Sequence, residues 1–177
     1  YFAGKITASS NSNAIANDSN GTLTSCYYLS DCGLTSTRAA AVTKDQFKSG
    51  EVCYLLNNKV TDGSQIWYQT LGTNEYPVLR GDTVYYGYNA TNEKMDYSNS
   101  PLADCPHSKY TNGFCDVCGE VEAPELIDGK YQIASYGNLV WFQQKVDSGE
   151  YGAKAVLTAD ITANESLLSD GKVSGTP

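Results

Sequence analysis

The chain has one histidine, one methionine and two tryptophans among 177 residues, and no apolar run approaches the roughly 20 residues needed to cross a bilayer. No G-x-S-x-G, H-E-x-x-H or P-loop pattern marks a particular reaction. No basic segment followed by an apolar one opens the chain, so the sequence is expected to be a mature or excised piece rather than one carrying a signal peptide. Basic residues are also in short supply: 12 Lys and Arg stand against 20 Asp and Glu, giving a net charge of -8 and a pI near 4.5. Nucleic acids and anionic membranes are bound by clustered cations, so neither partner is expected and no membrane insertion is read.

What is present suits a globular protein of one domain or two small ones, with 41% apolar and 18% charged residues. Fourteen Tyr against four Phe, with 16 Gly and many Ser, Thr and Asn, favour short pleated strands joined by tight turns. The fold class read from this is mainly β with short helices. Tyr rings also stack on sugars, but strand tyrosines with packed rings and wet hydroxyls are the commoner use.

Along the chain, YFAGKITASS and GTLTSCYYLSDCG alternate like strands around the loop-like SNSNAIANDSNG. Thr43 and Gln46 form a T-x-x-Q capping box ahead of a helix through DQFKSGEVCYLLNN, with Phe47, Val52, Leu55 and Leu56 on its apolar face and Gly50 marking a break. QIWYQTLG, EYPVL and TVYYGYN are predicted as a small meander with turns at TDGS, GTN and RGD, Pro77 standing at an edge or strand start. Arg80-Gly81-Asp82 is read as a turn rather than as an integrin ligand. Residues 89 to 104 are polar and lack any period, so a linker or a boundary near residue 100 is predicted. DGKYQIAS, YGNLVWFQQKVDSG and AVLTADITA then predict strand, helix and strand, with Leu139, Phe142 and Val146 at helical spacing. The polar end, NESLLSDGKVSGTP, is expected to stop before its natural structure does. The expected divisions are 1–100, 101–124 and 125–177. Asn17, Asn20, Asn89 and Asn164 head N-x-S/T triplets, which arise readily in so Asn- and Ser-rich a chain.

The chemistry is concentrated in CPHSKYTNGFCDVCGE, where Cys105, His107, Cys115 and Cys118 make the run C-x-H-x7-C-x2-C. Three thiolates and an imidazole suit a tetrahedral zinc ion, and four protein ligands leave no open position for water or substrate, so a structural role is expected. The Asn112-Gly113 turn lets the two arms converge. A disulfide involving Cys105 or Cys115 and unligated thiols are the competing readings of the same cysteines. Cys26 and Cys32 are close enough in sequence to close a loop, or one of them to pair with Cys53; buried free thiols are the other option. With little apolar mass (Tyr110, Phe114, Val117), the segment is expected to need its ion to fold.

GTLTSCYYLSD, QFKSGEVCYLLNN, IWYQTLGTNEYPVL, CPHSKYTNGFCDVCGEVEAPE and DGKYQIASYGNLVWFQQKV, in this order, resemble modules of large bacterial cell-surface proteins with GLUG-type right-handed β-helix repeats. The resemblance covers most of the chain. In that family a β-helix end, a helical cap, a W-Y-Q-x-L-G and Y-P-V-L segment and a Cys/His knuckle come in succession before a new unit. Here these fall at Gly21 to Leu29, Ser49 to Asn57, Trp67 to Leu79 and Cys105 to Cys118. The resemblance implies β-helix end segments flanking a small α+β meander and the knuckle, with Tyr131 to Ile161 beginning a second β-helix. The glycine-rich rungs of either solenoid body are missing.

The functional expectation is a noncatalytic structural or adhesion module of a secreted or cell-surface bacterial protein. Its partners would be neighbouring β-helix modules and a glycan or host surface protein. The alternatives are a carbohydrate-binding module, using aromatics such as Trp67, Tyr68, Tyr85 and Tyr86, or part of a β-helical polysaccharide-degrading enzyme. Acid–base carboxylates for the enzyme would come from Asp82, Asp96, Glu120 and Glu122. Scattered acidic residues on an acidic protein are ordinarily solvated surface, so no catalytic residue is assigned.

Overall fold

The computed structural model describes residues 1–5, 13–15 and 24–161, together with the backbone of 168–169 and 172–173. The chain divides into two compact units, residues 1–104 and 105–177. Strands are short and numerous and helices few, as the composition predicts. Among the described residues no helix is long and apolar enough to cross a membrane.

The first unit starts from parallel pairing. Strand β1 (Tyr27–Leu29) runs parallel to β2 (Ala40–Val42), Tyr27 opposite Ala40 and Leu29 opposite Val42. Phe2 adds a parallel bridge on the other side of β1: its N–H donates to the Tyr27 carbonyl at 3.0 Å, and Leu29 N–H donates to the Phe2 carbonyl at 3.0 Å. Parallel neighbours need a long connection, usually a helix. The segment between β1 and β2 is a run of turns and bends instead.

Helices α1 (Lys44–Lys48) and α2 (Glu51–Leu56) follow directly. The predicted capping box is present: Gln46 N–H donates to Thr43 Oγ1 at 3.2 Å, and Thr43 N–H donates to Gln46 Oε1 at 2.9 Å. The predicted break is also there, because Gly50 lies at φ 92, where L side chains are strained. Space is short as well, since a Cβ on Gly50 would stand 2.8 Å from Val84 Cγ1 and 2.9 Å from Leu71 Cδ2. The break turns Phe47 and Val52 into one core with Tyr28, Leu29, Cys32 and Val42. Full burial of side chains of this size contributes about 1.5–3 kcal/mol each.

Between α2 and residue 84 the predicted meander is not formed. Its one ladder contact is an antiparallel bridge between Tyr68 and Val78, and Pro77 is buried beside it. Side-chain amides take the place of the missing strand partners. Asn57 Oδ1 accepts from the N–H groups of Ile66 (3.1 Å) and Trp67 (3.0 Å), while its Nδ2 donates to the Trp67 carbonyl at 2.7 Å. The fully buried Gln69 donates from Nε2 to the carbonyls of Phe47 and Asn74. Asn99 donates to the carbonyls of Gln69 (2.8 Å) and Thr83 (2.9 Å) and accepts from Leu71 N–H at 2.7 Å. Removing that amide leaves three backbone groups without partners, so Asn99→Ala is expected to cost about 2–3 kcal/mol. A shift of the urea midpoint at unchanged slope measures it.

Residues 89–104 are structured rather than a linker, and the division between the two units falls at their end. Strands β3 (Tyr85–Asn89) and β4 (Lys94–Ser98) form an antiparallel hairpin in full register, and the Tyr86 and Tyr97 rings meet across it with centroids 4.8 Å apart. Tyr88 then bridges to Ala103 on the other side of β3. The RGD segment is an exposed bend rather than a hairpin turn.

The second unit opens with two short hairpins and a helix. Strands β5 (Tyr110–Thr111) and β6 (Phe114–Cys115) pair across Asn112-Gly113, and β7 (Leu126–Ile127) pairs with β8 (Lys130–Ile133) across Asp128-Gly129. Both are the Asn-Gly and Asp-Gly dipeptides that accept positive φ at the two central positions. Helix α3 (Tyr136–Asp147) starts at Ser135, whose side chain accepts from Asn138 N–H, and β9 (Ala155–Leu157) returns parallel to β8. The predicted order of strand, helix and strand is therefore observed. Of the three apolar residues at helical spacing, Phe142 and Val146 are half-buried and Leu139 is 38% exposed, while the fully buried helix residues are Gly137 and Asn138. Tyr131 of β8 meets the rings of Trp141 and Phe142, and Lys145 lies over both Tyr131 and Trp141 while pairing with Glu150. Strands β10 (Leu168–Ser169) and β11 (Lys172–Val173) form a further antiparallel pair. Asn17, Asn20, Asn164 and most of the predicted N-terminal loop lie outside the described residues.

Candidate metal centre

The structure brings Cys105, His107, Cys115 and Cys118 together: one ligand atom from each lies within 4.8 Å of all the others. Two parts of the chain deliver them. Cys105 and His107 come from the extended arm before β5, with His107 held at φ 45 so that its ring turns back over so short a spacing. Cys115 ends β6, and the chain then turns tightly, Gly119 N–H donating to the Cys115 carbonyl at 2.9 Å, which returns Cys118 to the same side.

Distances separate a metal site from a disulfide. The Cys105 and Cys115 sulfurs stand 3.6 Å apart, and Cys118 Sγ stands 3.6 Å from His107 Nδ1. A bonded sulfur pair would be at about 2.05 Å. Tetrahedral ligands at ordinary zinc bond lengths give edges of about 3.8 Å between sulfurs and about 3.6 Å between sulfur and nitrogen. Both observed separations match the tetrahedron and not the bond. All six cysteines are free thiols, including Cys26, Cys32 and Cys53, of which Cys32 and Cys53 are buried.

The electrostatics favour a bound cation. The backbone N–H groups of Cys118 and Val117 point at the Cys115 sulfur and hold its pKa down to about 6, whereas burial, with Cys105 and Cys115 close by, pushes the Cys118 thiol up to about 11. Burial and the neighbouring sulfurs thus oppose ionisation of Cys118 beside the Cys115 thiolate. A divalent ion removes that conflict, since it is what lets several thiolates share one site.

The hairpin tip is interlocked with the start of α3. Gly137 N–H donates to the Asn112 carbonyl at 2.9 Å, and Tyr136 N–H donates to Asn112 Oδ1 at 3.1 Å. Asn138 Nδ2 donates to the Glu122 carbonyl at 2.9 Å, and Glu122 N–H donates to the Gly113 carbonyl at 2.8 Å. Phe114 packs on Tyr136 with centroids 5.8 Å apart. The helix N-terminus has unpaired N–H groups that need acceptors, and the knuckle provides two of them.

The carboxylates named as acid–base candidates have separate partners. Asp82 and Asp96 belong to the first unit and Glu120 and Glu122 to the second. Asp96 accepts from the amides of Asn92 and Asn89, and Asp82 offers its backbone carbonyl to Gln69 N–H. Glu120 has a different place: its Oε2 stands 3.4 Å from His107 Nε2. Among the described residues the Cys/His group is the one cluster of metal-ligating side chains. No family model matches the chain, and no curated protein or solved structure was found similar to it.

Proposed function

We propose that the chain is a noncatalytic structural or adhesion module of a secreted or cell-surface bacterial protein, joining the end of one parallel-strand solenoid to the start of another. In this reading a structural zinc ion held by Cys105, His107, Cys115 and Cys118 staples the junction. The observation that carries it is the four-donor cluster whose hairpin tip supplies acceptors to the helix of the following strand, helix and strand. Four protein ligands suit a closed structural site rather than an open catalytic one, and soft thiolates with imidazole select zinc over magnesium or calcium.

The solenoid part draws support from parallel pairing at both places where the resemblance expects it. Phe2, β1 and β2 line up in parallel in the first unit, and β8 and β9 do so in the second. Helices α1 and α2 pack their Phe47 and Val52 against β1 and β2, as a cap on the end of a ladder would.

Incubating the protein with bacterial and host polysaccharides should produce no new reducing ends or unsaturated products. Metal-loaded protein should resist protease between residues 105 and 161, and lose that resistance on chelation. Turnover abolished by Glu122→Gln, or protease resistance indifferent to metal, contradicts the reading. A carbohydrate-binding role rests on Tyr86, which is 43% exposed and is backed by the rings of Tyr54 and Tyr97. Stacking on a sugar needs such an accessible face. Under that alternative, Tyr86→Ala abolishes retention on a glycan array; under the structural reading no retention is seen to begin with.

A further inference from the structure

We propose that His107 binds the metal through Nδ1, and that Glu120 is the positioning residue that fixes its ring by accepting a hydrogen bond from Nε2–H. This deepens the metal reading above and rests on it.

The geometry separates the two ring nitrogens. Nδ1 faces the sulfurs, 3.6 Å from Cys118 Sγ, while Nε2 points the other way, 3.4 Å from Glu120 Oε2. An imidazole that ligates a cation must offer a lone pair, so the nitrogen facing the sulfurs is unprotonated and the ring hydrogen resides on Nε2. A carboxylate beyond Nε2 stabilises that tautomer, orients the ring and makes Nδ1 a stronger donor.

Glu120 is placed there by the knuckle itself. Cys115 N–H donates to the Glu120 carbonyl at 2.8 Å, so the turn that carries Cys115 and Cys118 also holds the Glu120 backbone. The nearby cation Lys109 is engaged elsewhere, 3.2 Å from Asp116 Oδ2. The Glu120 side chain is 70% exposed and that of His107 34%. An exposed ion pair of this kind would contribute little by itself, so its effect is expected in metal affinity rather than in bare stability.

His107 is the only histidine, which makes the readout unambiguous. Zinc-loaded full chain labelled with nitrogen-15 should give the long-range proton–nitrogen pattern of a ring protonated at Nε2 and metallated at Nδ1. Competition against a chelator of known affinity should show Glu120→Ala binding zinc about 10-fold or more weakly, the ordinary loss for such a partner. Glu120→Gln, which keeps an acceptor oxygen, should recover most of that loss. A pattern with the proton on Nδ1, or an unchanged affinity in Glu120→Ala, overturns the assignment and leaves the metal site standing. Failure of the unmodified chain to take up zinc overturns the assignment and the metal reading together.

Discussion

Stripping metal from the protein with a chelator is expected to unfold residues 105–122 and undo the start of α3, while the core around Phe47 and Val52 stays folded. The second unit has little else to hold the knuckle. Its strands β5 and β6 are two residues each, and of its larger apolar side chains Tyr110, Phe114 and Val117 none is fully buried. Structural zinc contributes about 10 kcal/mol or more in comparable small folds, which exceeds what burial can provide here. Amide spectra should therefore lose dispersion for residues 105–122 and the first turn of α3 on chelation and regain it when zinc is returned. Replacing one ligand, as in Cys115→Ala, should have the same outcome without a chelator. The first unit has its own core of Tyr28, Leu29, Val42, Phe47 and Val52, so its signals should persist.

Gly137→Ala is the substitution expected to be most damaging without touching a ligand. A Cβ there would overlap the Gly113 carbonyl and stand 2.7 Å from Gly113 Cα, all of it backbone that has no rotamer to give way. The reverse change, Gly113→Ala, would overlap Ser135 Oγ and bring a Cβ 2.9 Å from Gly137 Cα, in a residue already at φ 78. Either change must separate the hairpin tip from the helix, breaking the bonds from Gly137 and Tyr136 to Asn112. The expected cost is about 3 kcal/mol or more, at the upper end for overpacking. Because metal binding and helix docking share the hairpin, both variants should also bind zinc more weakly. Gly152→Ala is the control: nothing lies within 4 Å of the added carbon, so melting and metal affinity should be unchanged.

The features legible in the sequence are those set by near neighbours. Thr43 with Gln46, the break at Gly50, and the order of strand, helix and strand after residue 128 all depend on residues within a turn of one another. The Cys/His cluster is legible for the same reason, since its ligands span Cys105 to Cys118 and a single Asn-Gly turn closes the distance. The amide network is not, because Asn57, Gln69 and Asn99 act on backbone groups far along the chain, and nothing local distinguishes them from surface amides. The β3–β4 hairpin had a usable signal, the alternation of Met95 and Tyr97 within KMDYS, which the polar turn before it obscured. Helix α3 misleads through its chemistry. Its face is chosen by Gly137 and Asn138, where backbone must approach backbone, and Leu139 turns outward although it fits the apolar spacing. Glu120 is visible in the sequence as one acidic residue among many, and only the folded turn places it beside His107.

Native mass spectrometry of the protein purified under reducing conditions tests the proposed metal site most directly. One zinc ion per chain with all six cysteines reduced is the expected result. A metal-free chain, or a mass lowered by the two hydrogens of a bond between Cys105 and Cys115, would contradict it.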